Sequence, residues 1–198
     1  MRTAVLVSGG GTNLQALIDA QQEGKLGGAR IVCVISSKPG VFALERAKKA
    51  GIPAIVVDRS AFDDSESFDR AILEQLERFN AQLVVLAGFL RILGKTVLER
   101  FPRRIINVHP SLIPSFCGDG FYGLRVHRAA LDYGVKVTGA TVFYVNEITD
   151  GGEIIAQKAV DVLPGDTPES LQRRVMEQAE WKILPEAVRI VTAENEDA

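Results

Sequence analysis

The chain has 198 residues, 46% hydrophobic and 24% charged, with a formal net charge of −2, which bounds it to one domain, or one with a small appendage, around a sizeable core. No basic excess is present to hold a nucleic-acid backbone. Two cysteines, Cys33 in an apolar strand and Cys117 in a loop, make neither a disulfide framework nor a metal cluster.

The N-terminal run MRTAVLVSGG is too short for a signal peptide or a membrane span, so a cytoplasmic location is expected. Thr3 to Val7 reads as a buried strand and Ser8 to Thr12 as a turn. Asn13 to about Glu23 reads as a helix with Leu14, Leu17 and Ile18 on one face. Ile31–Ile35 is a second strand, Val41–Ala50 a second helix and Ala54–Val57 a third strand. Ser65–Phe79 is a third helix, with Ile72, Leu76 and Phe79 as its stripe, and Leu83–Leu86 and Ile105–Val108 are two further strands. Near-continuous apolar strands alternating with amphipathic helices predict a Rossmann-like, doubly wound, mostly parallel α/β sheet.

The rhythm changes after a Pro-rich loop. Arg125–Tyr133 reads as a short helix, and Val137–Val145 and Glu153–Val162 as two strands joined by 146–152. No crossover helix fits between them, so they are expected to pair antiparallel. Asp166-Thr167-Pro168-Glu169 starts a helix that should run to about Val191, with the acidic tail AENEDA fraying.

Three stretches carry chemistry. In SGGGTNLQ, glycines at a strand-to-helix turn allow close backbone approach. The free N–H groups of the helix start, with Thr12 and Asn13, suit a phosphate, unless the turn is purely structural. Leu14 and the absence of an acidic residue after the second strand fit a dinucleotide fingerprint poorly. In AGFLRIL, Gly88 permits close approach and Phe89 with Ile92 could wall an apolar slot. Arg91 could meet a carboxylate or be solvated.

In IINVHPS, period-two geometry puts Asn107 and His109 on one face of a strand that ends at the carboxyl edge of the sheet. An amide donor beside an imidazole suits chemistry that creates an oxyanion and moves a proton. Asp150-Gly151-Gly152 is either a plain turn or a loop that returns a carboxylate to orient His109. His127 reads as a surface or packing residue. Glu177 and Glu180 read as a solvated face, with Trp181 and Leu184 on the packing side.

Together SGGGTNLQ, AGFLRIL, NVHPSLIPSF and VTGATVFYVNEITDGG, spread over almost the whole chain, resemble the folate-dependent formyltransferase family, in its glycinamide ribonucleotide branch. The resemblance implies a single formyltransferase domain over 1–198, with a phosphate-binding half (about 1–100) and a folate and catalytic half (about 101–198). It implies transfer of the formyl group of 10-formyltetrahydrofolate to glycinamide ribonucleotide in purine synthesis, by a monomer or homodimer, with no metal and no covalent enzyme intermediate. Asn107, His109 and Asp150 would be the catalytic trio. Gly11, Thr12, Asn13 and Glu180 would hold the ribonucleotide. Leu90, Arg91, Ile92 and Leu93 would flank the folate, together with Asn107, Asn146, Glu147 and Thr149.

Three features depart from the family pattern. The segment Ser115–Tyr122 is longer than the usual Pro-Gly turn, and nothing nearby in sequence activates its Cys117. Ser65 stands where many relatives have a ligand-contacting arginine, for which Arg59 or Arg70 could compensate. Trp181 stands where a histidine is frequent. Formyltetrahydrofolate deformylase shares the trio but normally adds an N-terminal regulatory domain. A non-catalytic nucleotide-binding module would explain the glycine turn and leave the trio as coincidence.

Overall fold

The computed structural model describes residues 1–196. Five parallel strands, β1 (Arg2–Val7), β2 (Arg30–Ser36), β3 (Ala54–Val56), β4 (Leu83–Leu86) and β5 (Ile105–His109), are continued by antiparallel β6 (Val137–Tyr144) and β7 (Ile154–Asp161). The sheet order is β3-β2-β1-β4-β5-β6-β7. Around it lie α1 (Thr12–Gln22), α2 (Phe42–Lys49), α3 (Ser65–Arg78), α4 (Lys95–Arg100), α5 (Leu124–Tyr133), α6 (Pro168–Val175) and α7 (Trp181–Glu196). This is the mostly parallel architecture with antiparallel final strands that the patterning predicts.

Both faces of the sheet are covered, which is why its central strands are apolar throughout. In β1 the side chains alternate. Val5 and Val7 pack with Leu14, Leu17 and Ile18 of α1 and Leu184, Val188 and Val191 of α7. Ala4 and Leu6 pack on the other face with Phe68, Ile72 and Leu76 of α3 and Val97 of α4. Phe68 is among the largest fully buried side chains, so Phe68→Ala should cost about 3–5 kcal/mol.

The strand order reverses between β1 and β4, and such a crevice is where open α/β sheets bind ligands. Here the exits of the strands are tied together. Ser8 N–H donates to the Gly88 carbonyl at 3.1 Å. Leu90 N–H donates to Ser8 Oγ at 3.0 Å, and Ser8 Oγ lies 2.7 Å from Ser37 Oγ.

Two elements differ from expectation. Helix α4 buries only Val97 among its six residues, too few to register as a 3.6-residue period. The final helix is two, separated by a π turn at Met176–Glu180. Pro185 lies in the following turn; it has no N–H for the Trp181 carbonyl, and its ring crowds that carbonyl, which displaces the helix upstream. Thr167 caps α6 with a reciprocal bond to Ser170, and Pro168 occupies the first turn as expected.

Nor does the helix end near Val191: α7 continues to Glu196. Tyr144 Oη donates to Glu194 Oε2 at 2.6 Å and Asn195 Nδ2 to the Val191 carbonyl at 2.8 Å. These bonds hold most of the stretch expected to fray; its last two residues, 197 and 198, lie outside the described ones. No helix among the described residues is long and apolar enough to cross a membrane.

Candidate active site

β5 carries the densest chemistry. It lies between β4, where Leu86 faces Asn107, and β6, where Thr141 faces His109. Ile106 and Val108 enter the core on the α1 side of the sheet, so Asn107 and His109 share the opposite face. His109 is 4% exposed. Its Nε2 lies 2.9 Å from the Phe116 carbonyl, and its Nδ1 lies 3.5 Å from Asp150 Oδ2. A carbonyl only accepts, so Nε2 carries a hydrogen.

Asp150 reaches the histidine because its loop folds back tightly. Gly152 runs against the end of β6, where an added Cβ would stand 1.6 Å from the Tyr144 carbonyl oxygen. Asp150 itself adopts a left-handed φ of 53°, and its Oδ2 also accepts Gly118 N–H at 2.8 Å. Sequence distance left open whether the carboxylate turns back to His109; in the structure it does.

Across the switch point, Gly11 has φ +71°, and an added Cβ would stand 2.7 Å from Ala43 Cβ. Only glycine fits there. Helix α1 begins beside it with no capping side chain and no acidic residue in its first turn, which leaves first-turn N–H groups and a positive helix end for an anion. Thr12 Oγ1 is 3.7 Å from Met176 Sδ. Asn13 Nδ2 donates to Glu180 Oε2 at 2.7 Å, while Asn13 Oδ1 is buried without a partner.

Glu180 corrects the reading of a solvated face. Glu177 is exposed, but Glu180 is 6% exposed, because the π turn breaks the α periodicity that would place both on one side. Burial pushes its carboxyl up to about 7, partly offset by the Asn13 amide. Trp181 is half-buried with Nε1 unpartnered, and Leu184 is in the core. A cavity of about 740 Å³ between α1 and α7 is lined by Thr12, Arg46, Trp181 and Lys182 among others, and does not include His109.

The segment after β4 places its side chains differently from expectation. Phe89 and Leu93 are buried with the α3 core, whereas Leu90 and Ile92 are 52% and 74% exposed. Phe89 and Ile92 therefore do not wall one slot; the outward side chains are Leu90 and Ile92, with Arg91 exposed beside them. In the β6–β7 loop, Asn146 Oδ1 accepts Ile148 N–H at 2.9 Å, and Glu147 and Thr149 are exposed.

His127 is a packing residue, 1% exposed, with neither ring nitrogen hydrogen-bonded. Burial, then the nearby His109, lowers its pKa to about 4. Ser65 opens α3 behind the Asp64 cap. Arg70 pairs outward with Glu66, and Arg59 donates to the Phe62 carbonyl at 2.7 Å beside the Phe68 ring. Cys117 donates to the Pro114 carbonyl at 3.3 Å, and burial raises its thiol pKa, the opposite of an activated nucleophile. Sequence reasoning did not single out the Phe116 carbonyl or the Gly118 N–H. Main-chain groups carry no residue-type signal, although the Gly118-Asp119-Gly120 run marks an unusual backbone.

The family model described as formyl transferase matches residues 1–188. The chain belongs to the formyl transferase family. It is 40% identical over 191 residues to phosphoribosylglycinamide formyltransferase of Haemophilus influenzae, covering 96% of this chain and 87% of that one. The trifunctional purine biosynthetic protein adenosine-3 of Bos taurus is 47% identical over 192 residues; the match covers 97% of this chain but only 18% of that longer protein. The crystal structure of glycinamide ribonucleotide transformylase 1 from Symbiobacterium toebii superimposes with a TM-score of 0.91 at 44% identity, covering 98% of this chain and 88% of that one.

Proposed function

We propose that this chain transfers the formyl group of 10-formyltetrahydrofolate to the glycine amine of glycinamide ribonucleotide, as one formyltransferase domain working in the cytoplasm on small-molecule substrates. The observation that carries the reading is the return of Asp150 to His109 at the carboxyl edge of β5, where Asn107 shares the strand face with His109, with the uncapped first turn of α1 at the neighbouring switch point. The 40% identity to the Haemophilus influenzae phosphoribosylglycinamide formyltransferase, over 96% of this chain and 87% of that one, supports it. Two free cysteines fit a reducing compartment.

In this reading Gly11, Thr12 and Asn13 hold the phosphate and Glu180 accepts from the ribonucleotide. The folate lies along Leu90–Leu93, Asn107 and the Asn146, Glu147 and Thr149 loop. The amine nitrogen attacks the formyl carbon, a C–N bond forms and the carbonyl oxygen becomes an oxyanion. Asn107 Nδ2 and a His109 N–H donate to that oxygen, each such donor being worth about 3 kcal/mol of barrier. A proton passes from the attacking amine to the folate nitrogen, through His109 or water, as the old C–N bond breaks. Asp150 keeps the ring in place.

Mass spectrometry of the ribonucleotide after incubation with 10-formyltetrahydrofolate tests the proposal. A singly formylated ribonucleotide is the expected product. Free formate with unaltered ribonucleotide would replace transfer by deformylation.

A further inference from the structure

Both hydrogen-bonding atoms of the His109 ring are engaged within the protein, Nδ1 by Asp150 and Nε2 by the Phe116 carbonyl. Neither is free for a formyl oxygen. Only four non-glycine residues among those described have positive φ, namely Asn80, Arg103, Phe116 and Asp150. Two of the four are the residues that meet at this ring. Left-handed backbone at a bulky residue costs energy and persists only where the surroundings hold it.

For Phe116 those surroundings are visible. The base of the loop is pinned, since Ser111 Oγ donates to the Ser115 carbonyl at 2.6 Å and Ile113 N–H to Thr141 Oγ1 at 3.1 Å. Gly118 N–H is seated on Asp150. The Phe116 ring meets Tyr133 of α5 edge-on, with centroids 6.0 Å apart, and Phe121 at 6.5 Å. Thus two aromatic contacts outside the site hold one main-chain carbonyl on the catalytic nitrogen.

We propose that Phe116 is a positioning residue for His109: its carbonyl is the resting partner of Nε2, and Nε2 is the nitrogen that donates to the formyl oxygen once the carbonyl is displaced. Asp150 stays on Nδ1 throughout, so the ring keeps its orientation while one acceptor replaces another. The longer Ser115–Tyr122 segment then acts as an internal competitor of the formyl donor. This rests on the transfer reading above for the role of His109, but not for the existence of the resting bond.

Phe116→Gly tests it, because glycine accepts the left-handed backbone and only the aromatic contacts are lost. The chain has two histidines, so imidazole ¹⁵N spectra are assignable with His109→Ala. In the wild type the His109 Nε2 proton should be slow to exchange, and in Phe116→Gly fast. Equal exchange in the two proteins would overturn the proposal, whatever the activity. In turnover, KM for 10-formyltetrahydrofolate should fall about twofold to tenfold in Phe116→Gly with kcat held or raised, the range set by the loss of aromatic contacts. A lower kcat at unchanged KM would overturn it, since the carbonyl would then be needed in the reaction. Tyr133→Ala, at an exposed position on α5 (82% exposed), should shift both readouts the same way by less; no shift there would count against the proposal.

Discussion

His109 at the end of β5 and Glu180 in the π turn are both ionisable and almost wholly buried, yet their surroundings differ. His109 meets a carboxylate and a main-chain carbonyl. Glu180 has one amide partner, and burial drives its carboxyl to about 7. A buried group with acceptors on both sides is held in one orientation, as chemistry on a reacting atom requires. A buried carboxyl with one neutral partner instead changes charge near neutral pH, so any binding through it becomes pH-dependent. Under the proposed function, rate would belong to the β5 end and ribonucleotide affinity to the π turn.

The largest expected effect is at His109. His109→Ala should lower kcat by about 10²–10⁴-fold, with KM for the ribonucleotide nearly unaltered. A change confined to KM would erase the proposed division. Asn107→Ala should follow, with a loss of about 10²–10³-fold in kcat if its amide serves the oxyanion; stopped-turnover assays at saturating substrates would read both.

Glu180→Gln sharpens the other side. It should weaken ribonucleotide binding about tenfold or more, the value of a hydrogen bond to a charged group, and leave kcat little altered. Stability should move oppositely. The folded carboxyl binds its proton more tightly than the unfolded one, so the wild type loses stability as pH rises from about 4.5 to about 7. Denaturant titration at pH 8 should find the glutamine variant more stable, by on the order of 3 kcal/mol at most. Equal stabilities at pH 8 would contradict the burial argument.

The smallest effect concerns His127, whose pKa is lowered to about 4 by burial and then by His109. The unfolded state takes up a proton near pH 6.5 while the folded state does not until about 4, so stability falls as pH drops through that window. His127→Leu should flatten this acid limb in urea melts taken between pH 7 and pH 4. An unaltered limb would mean that the ring is not the group responsible.

How far the sequence discloses each region follows from the physics of each. Alternation fixes Asn107 and His109 on one face because a strand period of two leaves no freedom. The glycines after Asp150 foretell a tight return, and the 1.6 Å at which a Cβ added to Gly152 would stand from the Tyr144 carbonyl oxygen shows why that glycine is needed. Gly11 is legible for the same reason. Glu180 is not, because a helical wheel assumes the α period that the π turn breaks. The Phe89 side chain misleads because an apolar run after a buried strand does not reveal which residues continue the core. The Phe116 carbonyl is invisible to any reading of residue types, since the group that matters is common to every residue.

The most direct test of the account is a spectrophotometric assay of folate release from 10-formyltetrahydrofolate, with and without glycinamide ribonucleotide, on the wild type and His109→Ala. Release that requires the ribonucleotide and collapses in the folded variant is the expected result. Release of equal rate in wild type and variant, or release by the wild type that ignores the ribonucleotide, would contradict it.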